Sequence, residues 1–183
     1  PGLRGDDVVL CHAHFDHRSD YEDGHIPGAV PLNTNWLESP DTWNRRSPEE
    51  LKRALEGLGI RHDTTVVLYG RFSFPSYEHD FPAQSAGHLG AMRCAALILY
   101  AGVEDVKVLN GGINTWEEAG FEVSTDDVEP EPVDDFGIDV PANPQFMLEL
   151  SEAQDLLAAD DGELVSVRSW PEYIGERSGY HYI

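Results

Sequence analysis

Short apolar runs recur along the first two thirds of the chain, with helix-like segments between them. The runs are rich in β-branched residues and are bounded by turn residues, a pattern typical of buried strands. Strands are therefore predicted at residues 7–11, 29–32, 64–69 and 106–109.

Three helices are predicted between or after these strands. Ser47-Pro48-Glu49-Glu50 is a capping box with proline at the first helical position, and Leu51, Leu55 and Leu58 give the helix one apolar face. A second helix at about residues 89–100 is apolar on nearly all sides, which predicts burial against the sheet. A short helix at residues 114–120 ends in glycine. Strands alternating with helices predict an α/β fold with a parallel central sheet flanked by helices.

The composition changes after residue 124, where Asp, Glu and Pro dominate. We predict a first domain at residues 1–125, an extended, self-repelling acidic linker at 126–148, and the beginning of a second domain at 149–183. In that second unit, Ser151-Glu152-Ala153-Gln154 is interpreted as a capping box and residues 163–168 as a strand. The unit is predicted to be truncated, one strand after its start.

Charge and apolar content exclude some function classes. Asp and Glu number 34 against 12 Lys and Arg, for a net charge of -22, so a nucleic-acid partner is not expected. No apolar run is long enough for a membrane helix, and no signal peptide is evident, although a cleaved signal stays open because the chain does not begin with Met. The two cysteines do not indicate a disulfide scaffold, and no cofactor is expected.

Two segments resemble the signatures of the rhodanese family. Tyr21-Glu22-Asp23-Gly24-His25-Ile26-Pro27-Gly28-Ala29 resembles the first signature, and the stretch from Tyr100 through Gly111-Gly112 to Trp116 and Gly120 resembles the second. Residues 164–173 are similar to the first signature starting again, as in tandem-domain thiosulfate sulfurtransferases of the YnjE-like type. The resemblance implies a rhodanese-like fold and a reaction in which a cysteine persulfide carries sulfane sulfur.

The resemblance also implies where the catalytic cysteine should stand, directly after the tyrosine that ends the central strand. Here Tyr69 is followed by Gly70 and Arg71. Counting back from Gly102 by the family's spacing reaches Ser85 instead, 15 residues away from Gly70. We therefore predict a degenerate active-loop position at Gly70, Arg71 and Ser85, and an insertion from Arg71 to Gly87 that is a docking surface, a tolerated loop or a lid.

Three other chemical roles are considered and are given less weight: a catalytic cysteine, a catalytic serine and a metal site. Cys11 and Cys94 lie in apolar settings and are predicted to be core thiols without catalytic function. Hydrolysis by Ser85 with His79 or His88 is also considered, but nothing in the sequence fixes the relative positions of these residues. Possible metal ligands are Cys11, His12, His14, Asp16 and His17. Zinc motifs usually combine two groups of ligands, and here there is only one, so we predict that these residues bind no metal.

The function expected from the resemblance is that of a non-catalytic, structural domain of a multi-domain sulfurtransferase. The parent enzyme would take sulfur from thiosulfate or 3-mercaptopyruvate, and its cysteine would lie in a neighbouring rhodanese domain of the same chain. The alternative is a non-enzymatic interaction or metal-binding module. The compartment is left open between cytoplasm and export to the periplasm or cell envelope.

Overall fold

The computed structural model describes residues 8–71, 86–168 and 170–176. Its centre is a four-stranded sheet in which every neighbouring pair is parallel. The strand order is β2-β1-β3-β4, with β1 at Val8–His14, β2 at Val30–Asn33, β3 at Thr65–Gly70 and β4 at Asp105–Val108. The predicted α/β class with a parallel sheet is confirmed.

Six helices accompany the strands in the described part of the chain. They are α1 (Ser19–Glu22), α2 (Pro48–Gly57), α3 (Ala86–Ala101), α4 (Gly112–Glu118), α5 (Leu150–Ala158) and α6 (Trp170–Tyr173), with 3-10 turns at Thr34–Trp36 and Pro144–Phe146. The predicted capping box of α2 forms: Ser47 Oγ accepts from Glu50 N at 3.4 Å, and Ser47 N donates to Glu50 Oε2 at 3.0 Å.

The sheet buries a different apolar cluster on each face. Side chains alternate between the faces of a strand, so Cys11 and Ala13 of β1 pack on one side with Leu51 of α2 and Ile98 of α3. On the other side, Tyr69 of β3 packs with a smaller cluster, whose other buried members are Ile26, Ala29 and Ile113. Both faces are therefore covered, as a parallel sheet requires.

The acidic segment after the first domain packs against that domain. Residues 126–143, here called the strap, have no helix or strand, but Phe136 is fully buried in the larger core. Glu56 of α2 accepts from Val133 N at 2.9 Å through its backbone carbonyl and from Phe136 N at 3.0 Å through its carboxylate. These contacts hold the strap against the first domain.

The second unit differs from its prediction in two details. Helix α5 begins at Leu150, and Glu149 N donates to Glu152 Oε2 at 2.7 Å, so the helix starts before the predicted Ser151 box. Residues 163–168 form no strand, since no neighbouring strand pairs with them in the described part of the chain. Among the described residues, no helix has the length and apolarity needed to span a bilayer.

Candidate functional site

Gly70 occupies the position where the family's nucleophile is expected, at the carboxyl end of β3. It is buried, and it lies opposite Ala13 of β1 in the sheet register. A Cβ atom built on Gly70 would stand 2.1 Å from the carbonyl oxygen of Gly87 and 2.8 Å from the backbone nitrogen of His88. The first turn of α3 therefore fills the space that a side chain at position 70 would need.

Two further glycines complete this close approach. A Cβ atom on Gly112, at the start of α4, would stand 2.2 Å from the carbonyl oxygen of Gly70, and Gly112 has a φ of +60°. A Cβ atom on Gly87 would stand 3.0 Å from both the nitrogen and the oxygen of Arg71. Three backbone segments thus meet because each contributes a glycine, and His88 N seals the contact by donating to Arg71 O at 3.1 Å.

The side chain of Arg71 is engaged by an acidic partner. Its Nη1 and Nη2 donate to the two carboxylate oxygens of Glu117 on α4, at 3.3 and 3.1 Å. This fork-to-fork geometry satisfies both groups and joins the end of β3 to α4. Of the sequence-predicted site residues, Gly70 and Arg71 are adjacent as expected, whereas Ser85 and His79 lie outside the described residues.

Four buried histidines surround this end of the sheet. His12 and His14 lie on one face of β1, His25 follows α1, and His88 lies in the first turn of α3. The ring centroid of His12 is 4.8 Å from that of Tyr69 and 5.8 Å from that of Tyr21. His25 stacks on Tyr21 at 3.9 Å.

The environment keeps two of these imidazoles neutral. Burial lowers the pKa of His12 to about 3, and the nearby His14 and Arg71 act in the same direction. Burial also lowers the pKa of His14, to about 4, with Arg18 as the next cause. Neither ring nitrogen of His12 has a hydrogen-bond partner among the described residues. Protonation of these rings would place an unpaired charge in the core.

The proposed metal set does not converge. Cys11 lies in the core on the opposite face of β1 from His12 and His14, while Asp16 and His17 are exposed. In the part of the chain that the structure describes, no group of three or more His, Cys, Asp or Glu could hold a metal ion. These five residues therefore do not form the metal site that was weighed as an alternative.

Both cysteines of the chain are fully buried core thiols, as predicted. Burial raises the pKa of Cys11 to about 12 and holds the pKa of Cys94 well above its ordinary value. A neutral, inaccessible thiol is a poor nucleophile. Both thiols are therefore closed off from solvent in the folded domain.

Sequence reasoning missed His25 and Glu117 as parts of the site. His25 stood inside the first signature, where its glycine and proline neighbours suggested only a turn. Glu117 lies in α4, and only the folded arrangement brings it to Arg71, 46 residues earlier. The sequence held one indication that His25 stacks on Tyr21, because the two residues are four positions apart.

The parallel sheet flanked by helices and the two signature segments point to a rhodanese-type domain. The family described as "Rhodanese-like domain" matches residues 5–119, and the chain belongs to that family. Among curated proteins, it is 48% identical over 162 residues to the thiosulfate sulfurtransferase YnjE of Escherichia coli, covering 87% of this chain and 33% of that protein. It is 31% identical over 175 residues to the sulfur carrier protein TtuD of Thermus thermophilus, covering 85% of this chain and 50% of that protein.

Solved structures match along the whole chain. The wild-type structure of EanB is 54% identical with a TM-score of 0.93, covering 100% of this chain and 42% of that one. The anaerobic ergothioneine biosynthesis enzyme from Chlorobium limicola, in complex with its natural substrate trimethyl histidine, is 54% identical with a TM-score of 0.92 and coverages of 100% and 43%. The chain thus spans between a third and a half of the length of these relatives.

Proposed function

We propose that this chain is a non-catalytic rhodanese-like domain of a longer sulfurtransferase, whose persulfide cysteine lies outside residues 1–183. The observation that carries the proposal is the filled position at Gly70, where the backbone of Gly87 stands 2.1 Å from the site of a Cβ atom. A sulfur nucleophile needs a side chain with room around it. Gly70 has no side chain, and among the described residues the backbone of Gly87 and His88 occupies the space beside it.

The buried cysteines give independent support. Sulfane sulfur transfer requires an exposed thiolate that can meet both donor and acceptor. Cys11 and Cys94 are the chain's two cysteines, and both are fully buried with raised pKa values. The chain's contribution to a sulfurtransferase is then structural: it supports a neighbouring domain that performs the chemistry, with residues 149–183 as the start of the second rhodanese-like unit.

Sulfur transfer to a trimethylated histidine is our first candidate for the reaction of the longer protein. It rests on the 54% identity to EanB, whose structures include a complex with hercynine and a variant with a cysteine persulfide and ergothioneine. In that reaction, the outer persulfide sulfur would be inserted into a carbon–hydrogen bond of the imidazole ring. The enzyme would return as the thiolate, the displaced ring proton would pass to a base, and the sulfur would be reduced as the ring carbon is oxidised.

Transfer from thiosulfate or 3-mercaptopyruvate to a thiol or cyanide is the second candidate. The thiosulfate donor is favoured by the 48% identity to YnjE. In this case, the cysteine attacks the outer sulfur of thiosulfate, sulfite leaves, and the persulfide then passes its sulfur to the acceptor. Both candidates share the persulfide and the same role for this chain.

One experiment separates the candidates. The protein extended to the length of its relatives is incubated with hercynine and a sulfane-sulfur donor, either thiosulfate or inorganic polysulfide, and ergothioneine is measured by mass spectrometry. A parallel reaction with thiosulfate and cyanide is followed by thiocyanate release. Ergothioneine formation supports the first candidate, and thiocyanate release without ergothioneine supports the second.

The 183-residue chain should be silent in both reactions. Its matched control is the double variant Cys11→Ser/Cys94→Ser, which should give the same background signal. If the chain shows turnover and the double variant does not, a core thiol is the nucleophile. That result would overturn the non-catalytic role. Silence of the extended protein with every donor and acceptor would favour the alternative of a non-enzymatic interaction module.

A further inference from the structure

A cleft of about 760 Å³ lies beside the middle of α3. Its other walls are the loop at residues 38–45 and the segment that leads into α5. The lining is mixed: Trp43, Met92, Met147, Leu148 and Leu150 are apolar, whereas Glu38, Asn44, Arg45, Arg93 and Glu149 are polar or charged. Part of α3 is therefore left uncovered by the first domain.

The exposed apolar side chains of this region form one face. Leu89 and Met92, one turn apart on α3, are 56% and 49% exposed, and Trp36 is 43% exposed. Burial against the sheet was predicted for this helix, and its other side chains, including Ala91, Cys94 and Ile98, do pack into the core. The outward residues Trp36, Trp43, Leu89 and Met92, with the cleft beside them, are here called the α3 face.

Trp43 is held on this face in an unfavourable backbone conformation. Its φ is +57°, in the left-handed region that bulky residues rarely adopt. Its backbone nitrogen donates to Ser39 O at 2.8 Å, and its ring lies 5.3 Å from Phe15 and 5.4 Å from the guanidinium of Arg93. Arg93 is fixed in turn by Glu38, at 2.8 Å. Strained conformations persist where surrounding contacts over-determine them, and they concentrate at functional surfaces.

The second unit begins on the same face. Leu148 and Leu150, which line the cleft, are 48% and 77% exposed. An ion pair between Arg45 and Glu149 ties this segment to the loop of Trp43, and Arg45 also lies over the ring of Tyr100 at 4.9 Å. Met92 of α3 and Leu150 of α5 thus line the same cleft.

We propose that the α3 face is the docking surface for the part of the longer protein that follows this chain, and that it seats the cysteine-bearing domain. The inference rests on the proposed function. The occupant follows from two observations: Trp43 and Met92 of the face line the same cleft as Leu148 and Leu150, where the second unit starts, and the relatives that match this whole chain are more than twice as long. Neighbouring exposed apolar side chains on one side of a domain mark an interface.

The test is side-chain labelling by hydroxyl radicals, read by mass spectrometry, on the 183-residue chain and on the protein extended to the length of its relatives. Labelling of Leu89 and Met92 should be several-fold slower in the extended protein. Phe121, an exposed aromatic residue in the loop after α4, is the internal control and should be labelled equally in both.

Matched variants sharpen the result. In the extended protein, Met92→Glu should restore fast labelling of Leu89 because a charge opens the interface, whereas Phe121→Glu should leave Leu89 protected. Leu89→Glu, read at Met92, serves as the second variant. All three positions are exposed in the 183-residue chain, so these changes are expected to leave its folding intact.

The outcomes separate docking from function. An extended protein that transfers sulfur but labels Leu89 and Met92 as fast as the 183-residue chain overturns the docking surface and leaves the proposed function standing. Protection without sulfur transfer supports the docking surface and contradicts the proposed function. Protection in the 183-residue chain that grows with concentration, with a dimer mass by light scattering, would assign the face to a second copy and overturn the proposal.

Discussion

At the scale of single residues, Gly70 lets the end of β3 and the first turn of α3 approach closely. The carbonyl oxygen of Gly87 stands 2.1 Å from the place of a Cβ atom at position 70. A cysteine placed at this position would therefore need the first turn of α3 to move.

Gly70→Cys should destabilise the chain by about 2–3 kcal/mol, since the new Cβ atom would overlap backbone atoms that cannot move independently. It should form no persulfide. Urea unfolding and thiocyanate release from thiosulfate and cyanide measure the two effects. The control is Gly57→Cys, at a helical position where a Cβ atom would meet nothing within 4 Å. A Gly70→Cys variant with unchanged stability and robust turnover would show that the loop position is open.

His12 and His14 should make the chain sensitive to acid. Their pKa values are lowered by folding, to about 3 and about 4, so the folded state binds fewer protons than the unfolded state below about pH 6.5. The free energy of unfolding should fall as the pH drops below 6.5, by up to about 1.4 kcal/mol per pH unit for each histidine. Chemical denaturation between pH 7 and 5 measures the slope.

The variant His12→Phe should remove its own share of that slope. It keeps an aromatic ring between Tyr21 and Tyr69 and discards two ring nitrogens that have no partner among the described residues. Stability at neutral pH should change little. His17→Gln, at an exposed position, is the control and should change the slope much less, because His17 is only the smallest of the causes that act on the pKa of His14. Equal slopes for all three proteins would mean that His12 is not neutral in the fold.

At the scale of elements, the strap behaves as part of the first domain. Phe136 is its apolar anchor, and Glu56 accepts hydrogen bonds from the backbone nitrogens of Val133 and of Phe136 itself. Farther along, Asn143 N and Ala142 N donate to Tyr100 O and Ala101 O at the end of α3, at 3.1 and 3.2 Å. Residues that the composition assigned to a linker thus contact both α2 and the end of α3.

Phe136→Ala should lower the free energy of unfolding by about 3–5 kcal/mol, the usual cost of emptying a buried phenylalanine site. The strap should also become more susceptible to limited proteolysis. Phe146→Ala, at an exposed position three residues beyond the strap, should change stability by less than about 0.5 kcal/mol. If the Phe136→Ala variant is as stable as the Phe146→Ala variant, the strap is a free linker that does not stabilise the first domain.

At the scale of the whole molecule, local patterns predicted the sheet and helices of the first domain well. The capping box at Ser47 and the apolar runs of the strands depend on neighbours in sequence, so they were visible before folding. The period of two along β1 would also have separated Cys11 from His12 and His14. That alternation alone argues against the five-residue metal set.

Other features could not be predicted because they depend on distant contacts. The three glycines at positions 70, 87 and 112 meet only after folding, and nothing in their local sequence distinguishes them from turn residues. The burial of Phe136 was not predicted, because this single phenylalanine lies among many acidic residues of the strap. The start of α5 was misplaced by two residue positions because both Glu149 and Ser151 have an acceptor partner three residues later.

The docked strap has a consequence for how such domains can be duplicated and exchanged during evolution. A gene fragment that ends at residue 125, the predicted end of the first domain a few residues beyond the last signature, would lose Phe136 and with it a piece of the core. The unit that can be inherited intact is therefore longer than the unit that the signatures mark. Shuffling at the signature boundary should be counter-selected, and recombination that keeps residues 126–143 with the preceding domain should be tolerated.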